Sequence, residues 1–411
     1  MENIKTTRYI ALDVLRGMTV AGMVLVNNPG TWSHIFSPLR HAPWAGCTPT
    51  DLVFPFFLFV VGAAMAFSFA KYNEGLNAKS IKKLLKRGLL IFLVGLALNA
   101  FPFIKFPLDP DLSIWGNIVE KFSHLRILGV LQRIALSYVV GGFVALWLKN
   151  PKKIIPGIAI LIVVEWIILL LIGDSSAPLV NGGKGALSLA GQGAGAVDVN
   201  LFNWFGLIGE NHVYHGDGIP FDPEGLVGVL GGACTVLLGF LIGNICRKGD
   251  DKVEVIAKLF VIGMICLALG MVLSIWLPII KKLWTGSYVL YAGGWAILML
   301  AFFIYFIDVR GKEKSLLPFK ALGMNPLFAF VMAGLFAKIL GQMITWTNSA
   351  GEKFSVLSWY FKKVCCPIFS NPIFGESSSN EFSSLFFALS YVAVFTLMAW
   401  ILYKKRIVIK I

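Results

Sequence analysis

Long apolar stretches alternate with short polar segments along the whole chain. Each apolar stretch runs for roughly 18 to 25 residues, the length that a helix rising ~1.5 Å per residue needs to cross a ~30 Å hydrocarbon core. The pattern therefore predicts an all-α, polytopic transmembrane bundle of about ten spans. The predicted spans are residues 10–27, 51–70, 84–101, 125–148, 154–172, 224–245, 256–279, 286–307, 320–340 and 383–403.

Lysine and arginine are concentrated in alternate connecting segments, namely 71–87, 149–153, 247–258, 310–320 and 404–410. Such segments face the cytoplasm in most membrane proteins. The other connections are longer or poorer in positive charge, namely 28–50, 102–124, 173–223, 280–285 and 341–382. We therefore expect both termini in the cytoplasm and one membrane domain over residues 1–411, whose large outer loops are 28–50, 173–223 and 341–382.

Composition agrees with a membrane protein, because 57% of the residues are hydrophobic, 13% are aromatic and the mean hydropathy is +0.77. The net charge of +14 lies mostly on the predicted cytoplasmic side, as the positive-inside bias produces by itself, so we expect no nucleic-acid partner. Asp13 and Arg16 interrupt the first apolar run, and no small-residue cleavage site follows it. We expect this run to be a span rather than a cleaved signal peptide.

All the histidines lie in predicted outer loops or at the outer end of a helix, namely His34, His41, His124, His212 and His215. Proton-transfer chemistry near neutral pH is therefore expected on the outer side. His212 and His215, close to Asp217, are potential metal ligands, but their Gly-rich loop lacks a regular scaffold. We prefer hydrogen bonding within the loop and predict no metal. The GGKG stretch of this loop has no Ser or Thr after it, which excludes a P-loop and favours a flexible lid.

The cysteines are sparse and lack the CxxC spacing of a metal site. Cys47 and the adjacent Cys365 and Cys366 fall in predicted outer loops. An outer disulfide between Cys47 and one of the pair is one interpretation, and free structural cysteines are the other. The pattern does not decide between them.

The loop before the second span combines a histidine with a carboxylate. Trp44 follows His41 by three residues, Asp51 follows it by ten, and Pro55 lies four residues after Asp51. Because proline has no N–H to donate to the carbonyl of Asp51, the helix leaves a carboxylate and a free backbone acceptor at one spot. This arrangement predicts the mouth of a polar pocket. The alternative is that Asp51 only caps its helix and His41 is a solvated loop residue.

Charged residues within the spans are rare, and those of the fourth span suggest an anion site. Arg126 and Arg133 are seven residues apart, on one helical face, with Gln132 beside the second. Paired guanidinium donors bind phosphates well. The alternative is an ion pair with an acid on another helix, such as Glu165.

Two further sets of charges have simple structural interpretations. In FDPEG, Asp222, Pro223 and Glu224 open the sixth predicted span as a capping residue, a first-turn proline and an acid near the positive helix end. Capping is the preferred interpretation, and contact with a substrate is the alternative. Asp13 and Arg16, three residues apart in the first span, can neutralise each other.

Five separated motifs carry a family resemblance, and they read LDVLRGMTVAGMVLVNNPG, LRHAPWAGCTPTDLVFPFFLFVVG, LRILGVLQRIALSY, FDPEGLVG and LWTGSYVLYAGGWAILML. In this order they resemble the heparan-alpha-glucosaminide N-acetyltransferase family of transmembrane acetyltransferases. The resemblance covers residues 8 to 340, and the last 70 residues match weakly. The chain lacks the long N-terminal luminal region of the animal enzyme, so it looks like a bacterial member of the cytoplasmic (inner) membrane.

The resemblance implies acetyl transfer from cytoplasmic acetyl-CoA to the amino group of a glucosamine on the far side of the membrane. The family's functional histidine, in its H-A-x-W-x-G motif, falls on His41, and its acid at the start of the second span falls on Asp51. Its asparagine at the end of the first span falls on Asn27. The loop between Asn27 and His41 is a few residues longer here, which leaves Asn28 as a substitute.

The chemistry suits these residues, since an amine attacks a thioester only when it is unprotonated. A neutral His41 imidazole oriented by Asp51 is a suitable base, and the Asn27 amide is a suitable donor to the tetrahedral oxyanion. Acetyl-CoA is a large anion and needs fixed positive charge on its path. The expected acetyl-CoA residues are Arg16, Arg126, Gln132 and Arg133, and the expected sugar-binding residues are Trp44, Asp222 and Glu224.

Other functions and mechanisms remain open from the sequence. A secondary transporter for sugars or amino sugars would explain the spans and buried charges, but not the collection of histidines outside. O-acetylation of an envelope polysaccharide is a third hypothesis. We favour direct transfer over a ping-pong route through an acetylated His41. The expected partners are acetyl-CoA, a glucosamine-containing acceptor and the lipid bilayer, with homodimerisation left open.

Overall fold

Helices make up nearly all of the regular structure in the computed structural model, which describes residues 9–70, 76–216, 218–349, 351–369 and 379–409. The α-helices are α1 Ile10–Asn27, α2 Pro49–Phe69, α3 Ala78–Ala100, α4 Ile114–Ser123, α5 Val130–Leu148, α6 Pro151–Ile172, α7 Ala194–Trp204, α8 Val229–Lys248, α9 Lys252–Leu273, α10 Gly286–Phe303, α11 Leu317–Met324, α12 Pro326–Lys338, α13 Val356–Tyr360, α14 Cys366–Ile368 and α15 Glu381–Lys404. Two short strands, β1 Thr345–Thr347 and β2 Lys353–Ser355, form an antiparallel hairpin.

Short 3₁₀ and π segments join or extend these helices. The 3₁₀ segments are Ser37–Leu39, Gly185–Leu187, Gly209–His212 and Glu313–Leu316. The π segments are Ile304–Val309, Ile339–Met343 and Phe361–Cys365. The first two π segments lengthen α10 and α12 to the size of a membrane span.

Nine helical stretches within the described residues are long and apolar enough to cross a bilayer, which confirms the all-α polytopic class. The third predicted span is not among them, because α3 carries a basic first half. It nevertheless runs antiparallel along α5, since Gly88 faces Val139 and Gly95 faces Leu131 and Gln132. Helix α3 therefore extends through the bundle beside a candidate span.

Two predicted spans begin too early. Helix α5 starts at Val130 rather than at residue 125, and α8 starts at Val229 rather than at residue 224. The chain ahead of each helix is irregular because its polar groups are used elsewhere: Arg126 reaches across to Asp222, and the carbonyls of residues 223–228 turn toward Arg133. The prediction that Asp222 and Glu224 cap the sixth span is therefore wrong.

Close contact between glycines and neighbouring backbone holds the centre of the bundle together. Helices α2 and α8 meet so closely that a Cβ on Gly62 would lie 1.9 Å from the carbonyl oxygen of Val236. Helices α1 and α11 meet in the same way, where a Cβ on Gly17 would lie 1.7 Å from the carbonyl oxygen of Phe319. Membrane helices associate through such small residues because lipid provides no hydrophobic drive between them.

Helix α1 ends at the end of the bundle where α2 begins, and we call this the His41 end. The opposite end carries the basic connections between α5 and α6 and between α8 and α9, and we call it the basic end. The two ends correspond to the predicted outer and cytoplasmic sides.

Some sequence predictions concern residues outside the described part of the chain. Asp217 lies wholly outside it, and so do parts of the segments 71–87, 341–382 and 404–410. The cysteines are free, including Cys47, Cys365 and Cys366, so no outer disulfide forms in this structure. Cys365 and Cys366 are buried against Phe387 instead. The single domain over residues 1–411 stays a prediction.

Candidate active site

A histidine and a carboxylate meet at the start of α2. His41 Nδ1 lies 2.6 Å from Asp51 Oδ1. The other carboxylate oxygen accepts hydrogen bonds from the backbone N–H of Ala42 at 3.0 Å and of Thr48 at 3.1 Å, and from the Thr48 hydroxyl at 3.1 Å. Asp51 therefore caps its helix and holds His41 at the same time. The two interpretations offered by the sequence are combined in one side chain.

Lys281, which the sequence analysis missed, completes this group. Its Nζ lies 3.3 Å from Asp51 Oδ1 and 3.0 Å from His41 Nδ1. A backbone bond from Gly46 to the carbonyl of Ile279 brings this connection alongside the His41 loop. A signal was present, since Lys281 and Lys282 are adjacent in a short predicted outer loop, against the positive-inside bias.

The two contacts of His41 Nδ1 call for opposite tautomers, since Asp51 Oδ1 only accepts and the Lys281 ammonium only donates. We assign the proton to Nδ1 because its contact with Asp51 is the shorter one, 2.6 Å against 3.0 Å. Nε2 is then left with its lone pair. The His41 side chain is 43% exposed while that of Asp51 is 1% exposed, so a buried carboxylate orients an accessible imidazole. This arrangement suits a general base.

The nearby thiol is a poor nucleophile. Burial raises the pKa of Cys47 to about 12, and the charge of Asp51 adds to the effect. Because the thiolate is the reactive form of cysteine, Cys47 stays protonated at neutral pH. His41 is therefore the better candidate in this group for proton transfer.

The backbone acceptor expected at Asp51 is present, but it is occupied. Pro55 leaves the Asp51 carbonyl without its helical donor, and the Tyr288 hydroxyl donates to this oxygen at 2.6 Å. Tyr288 is fully buried, and its ring packs edge-on against Trp284. The prediction of a free acceptor is wrong, because a side chain from α10 fills the site from within the bundle.

Trp44 lies beneath the loop rather than on an open surface. It is 1% exposed, its Nε1–H donates to the carbonyl of Leu187 at 2.8 Å, and its ring packs against Phe221. The expected contact between Trp44 and a sugar is contradicted by this burial. Its role in the structure is to join the His41 loop to the long connection between α6 and α7.

Arg126 and Arg133 do not form the expected stripe on one helix, because Arg126 precedes α5. Arg126 binds Asp222 through Nε at 2.7 Å and Nη2 at 2.6 Å, and it binds Glu224 at 2.6 Å. Burial acts to lower the pKa of Arg126, but the two carboxylates outweigh it and raise that pKa above its ordinary value. Asp222 and Glu224 are thus partners of Arg126, which argues against a role in holding a sugar.

Arg133 is fully buried and bound to backbone carbonyls. It donates to Gly228 at 2.9 Å, to Gly225 at 2.7 Å and to Pro223 at 3.0 Å, and its guanidinium lies 5.4 Å from the centre of the Trp284 ring. Within the described residues Arg133 makes no ion pair with Glu165. The alternative of pairing with a distant acid holds instead for Arg126, whose partners are Asp222 and Glu224. Because its donors are already bound to carbonyl oxygens, the Arg133 guanidinium is a weak candidate for binding a coenzyme phosphate.

The remaining candidates lie on α1 and α5 rather than in the His41 loop. Gly22 faces Val53 and the ring of Tyr9 meets that of Phe67, so α1 and α2 are antiparallel neighbours, and exposed Asn27 lies at the end of the bundle where α2 begins. Arg16 lies toward the basic end, 3.5 Å from Asp13 and 3.2 Å from the carbonyl of Gly323. Gln132 is buried against Gly95 of α3.

The histidines of the long connection between α6 and α8 bind backbone. His212 Nδ1 is 2.7 Å from the carbonyl oxygen of Leu125, and His215 Nδ1 is 3.0 Å from that of Val213. Among the described residues there is no cluster of three or more His, Cys, Asp or Glu side chains that could hold a metal ion. His215 thus makes the predicted hydrogen bond within its loop, whereas His212 binds a residue in the chain ahead of α5.

Helices of membrane-span length place this chain among the multi-pass membrane proteins, and at one end of the bundle a buried carboxylate orients an accessible imidazole. A family model described as the catalytic region of heparan-alpha-glucosaminide N-acetyltransferase matches residues 8–278. The chain belongs to this family, as its motifs predicted. The fifth motif, LWTGSYVLYAGGW, lies beyond the matched residues.

Two curated relatives align with nearly the whole chain. Heparan-alpha-glucosaminide N-acetyltransferase of Homo sapiens is 25% identical over 448 residues, which cover 98% of this chain. The Mus musculus protein of the same name is 26% identical over 448 residues and 98% of this chain. The chain spans about 60% of the length of these relatives.

Proposed function

We propose that this protein transfers the acetyl group of acetyl-CoA to the amino group of a glucosamine-type sugar. Family membership supports N-acetyl transfer, and one observation carries the assignment of the site: the hydrogen bond of 2.6 Å between accessible His41 and buried Asp51. Lys281 is the third member of the group. We call these three residues the His41 triad.

The reaction requires one proton to leave the attacking nitrogen. His41 Nε2 takes a proton from the sugar amine as the nitrogen attacks the thioester carbonyl. A C–N bond forms, the C–S bond breaks as the tetrahedral intermediate collapses, and the proton passes from His41 to the departing sulfur. The products are the N-acetylated sugar and the free thiol of CoA. Asp51 keeps Nδ1–H in place and stabilises the imidazolium that forms in between.

The oxyanion of the intermediate needs a hydrogen-bond donor. Exposed Asn27 ends α1 at the end of the bundle where α2 begins and is the proposed donor, a role worth about 3 kcal/mol where such a donor has been removed in other enzymes. Direct transfer in a ternary complex is preferred to an acetylated His41, because no acyl-imidazole then meets water at the wet mouth of the site.

The proposed direction of transfer follows the charge of the loops. The basic connections support a cytoplasmic position for the basic end, so the proposal has acetyl-CoA arrive there and the sugar bind at the His41 end. Arg16, toward the basic end and only partly buried, is the best placed of the expected acetyl-CoA residues. The proposed location is the cytoplasmic membrane of a bacterium.

The test is acetylation by purified protein in detergent, where no gradient exists to drive transport. Radiolabelled acetyl-CoA and glucosamine should give an alkali-stable amide, and His41→Ala should reduce the rate at least about 10³-fold. His34→Ala is the matched control, because His34 lies in the same loop and is about equally exposed. Full activity in His41→Ala, or no amide with any hexosamine, would refute the proposal.

Two further measurements separate the alternatives. If mild base hydrolysed the product, the product would be an ester and would indicate O-acetylation. Enzyme that became acetylated on His41 without an acceptor would replace direct transfer by the ping-pong route.

A further inference from the structure

A long apolar groove opens on the outside of the bundle, away from the His41 triad. Helices α6 and α9 form its walls, α8 and α10 form its floor, and its volume is about 720 Å³. The floor is closed, with Ile242 1% exposed. The walls face outward, with Ile155 63% and Ile265 52% exposed. In a membrane protein such a surface faces lipid tails.

Lysines line the groove only where it reaches the basic end. Lys152, Lys248 and Lys258 are its basic lining residues, and Glu254 is its acid. Lys258 is neutralised by Glu254, whose Oε1 lies 2.5 Å from Nζ. Within the described part of the chain Lys152 and Lys248 form no ion pair, so two positive charges remain at the mouth.

The groove is about as deep as one leaflet along α6 and deeper along α9. On α6 its lining runs from Lys152 to Ile162, which rise about 15 Å, and on α9 it runs from Glu254 to Leu269, which rise about 22 Å. Half of a ~30 Å hydrocarbon core is about 15 Å thick. An acyl chain along these walls would reach the bilayer centre while its headgroup lay beside the lysines.

We propose that this groove binds an anionic phospholipid of the leaflet at the basic end, with its phosphate between Lys152 and Lys248. A second copy of the chain fits less well, because a symmetric contact would bring the lysines of both copies together. Coenzyme A would also satisfy the lysines through its phosphates, but its polar adenosine and pantetheine would lie on apolar walls.

Native mass spectrometry of delipidated protein tests the proposal, with phosphatidylglycerol titrated against phosphatidylcholine. Phosphatidylglycerol should bind more tightly, and Lys152→Gln combined with Lys248→Gln should weaken it by up to about 25-fold, at about fivefold per lysine. Lys312→Gln combined with Lys314→Gln removes the same charge at the same end outside the groove, and it should leave binding unchanged.

A second pair of variants tests the apolar part. Ala159→Phe fills the groove from an exposed position and should lower phosphatidylglycerol binding, whereas Ile160→Phe on the neighbouring face should not. Equal binding of the two lipids, equal loss in the matched lysine variants, or displacement of lipid by coenzyme A would overturn the proposal. So would Ala159→Phe if it converted a dimer to a monomer while lipid binding was kept.

Discussion

Replacing Asp51 by Asn should change the proton position on His41 without changing the shape of the site. Oδ2 of Asp51 accepts hydrogen bonds from two backbone N–H groups and lies 3.1 Å from the Thr48 hydroxyl, which also donates to the carbonyl of Arg40 at 2.7 Å. The amide oxygen of Asn will therefore occupy this position. Its NH₂ group must then face His41 Nδ1 and the Lys281 ammonium, where Asp51 Oδ1 accepts in the native protein.

The consequence is a tautomer that cannot act as a base. An NH₂ group beside Nδ1 stabilises the form with its lone pair on Nδ1 and its proton on Nε2, so the nitrogen facing the sugar amine has no lone pair to offer. The equivalent change in a serine protease triad lowers kcat by about 10⁴-fold. We expect a loss of about 10³ to 10⁴-fold here, which is about 4 to 5.5 kcal/mol of transition-state stabilisation.

The assay is the steady-state rate of N-acetylglucosamine formation by purified Asp51→Asn, with KM determined for both substrates. The loss should lie in kcat, because the substitution changes proton transfer and leaves the surface of the site in place. A thermal unfolding midpoint within a few degrees of the native value shows that the variant is folded. A folded variant with more than about a tenth of native kcat would refute the assignment of His41 as an Asp51-oriented base.

Three further variants test the surroundings of the triad. Lys281→Met should lower kcat about tenfold and Lys281→Arg less, because one of two donors to Asp51 Oδ1 is lost; equal rates would remove Lys281 from the site. Arg133→Lys should lower the unfolding midpoint and leave the KM for acetyl-CoA unchanged, since its partners are carbonyls; a raised KM would restore the coenzyme role. Burial raises the pKa of Asp198 to about 7 in the folded protein. The contribution of this protonated carboxyl to the free energy of unfolding is therefore fully present below about pH 4, and it is lost as pH rises through 7. Asp198→Asn should abolish that fall in thermal unfolding midpoints measured between pH 4.5 and 8, and an unchanged slope would contradict the assignment.

Hydropathy was sufficient for the class of fold but not for the helix ends. LRILG at residues 125–129 is apolar enough to extend a span, and only the structure shows that Arg126 is neutralised by acids almost a hundred residues away. A window along the chain cannot contain that partner. Because these distant partners could not be seen in the sequence, Arg126 and Arg133 were predicted to bind a phosphate.

The His41–Asp51 pair was predictable because it is local. Ten residues separate the two side chains, and the helix start fixes one of them. Lys281 and Tyr288 reach Asp51 from more than 200 residues further on, and no spacing rule connects positions that far apart. The adjacent lysines of the short predicted outer loop and the motif LWTGSY were the available signals.

The distant residues form a continuous set of contacts from the loop at 222–228 to the triad. Arg133 is held by the carbonyls of that loop and lies over Trp284, and the Trp284 ring meets Tyr288 edge-on. Tyr288 in turn donates to the carbonyl of Asp51. A buried guanidinium costs free energy unless all its donors are satisfied, so the loop can occupy few other positions while Arg133 remains bound. The arginine expected to hold the coenzyme is therefore better explained as a positioning residue that fixes the start of α2, and with it the direction in which His41 faces the proposed acceptor.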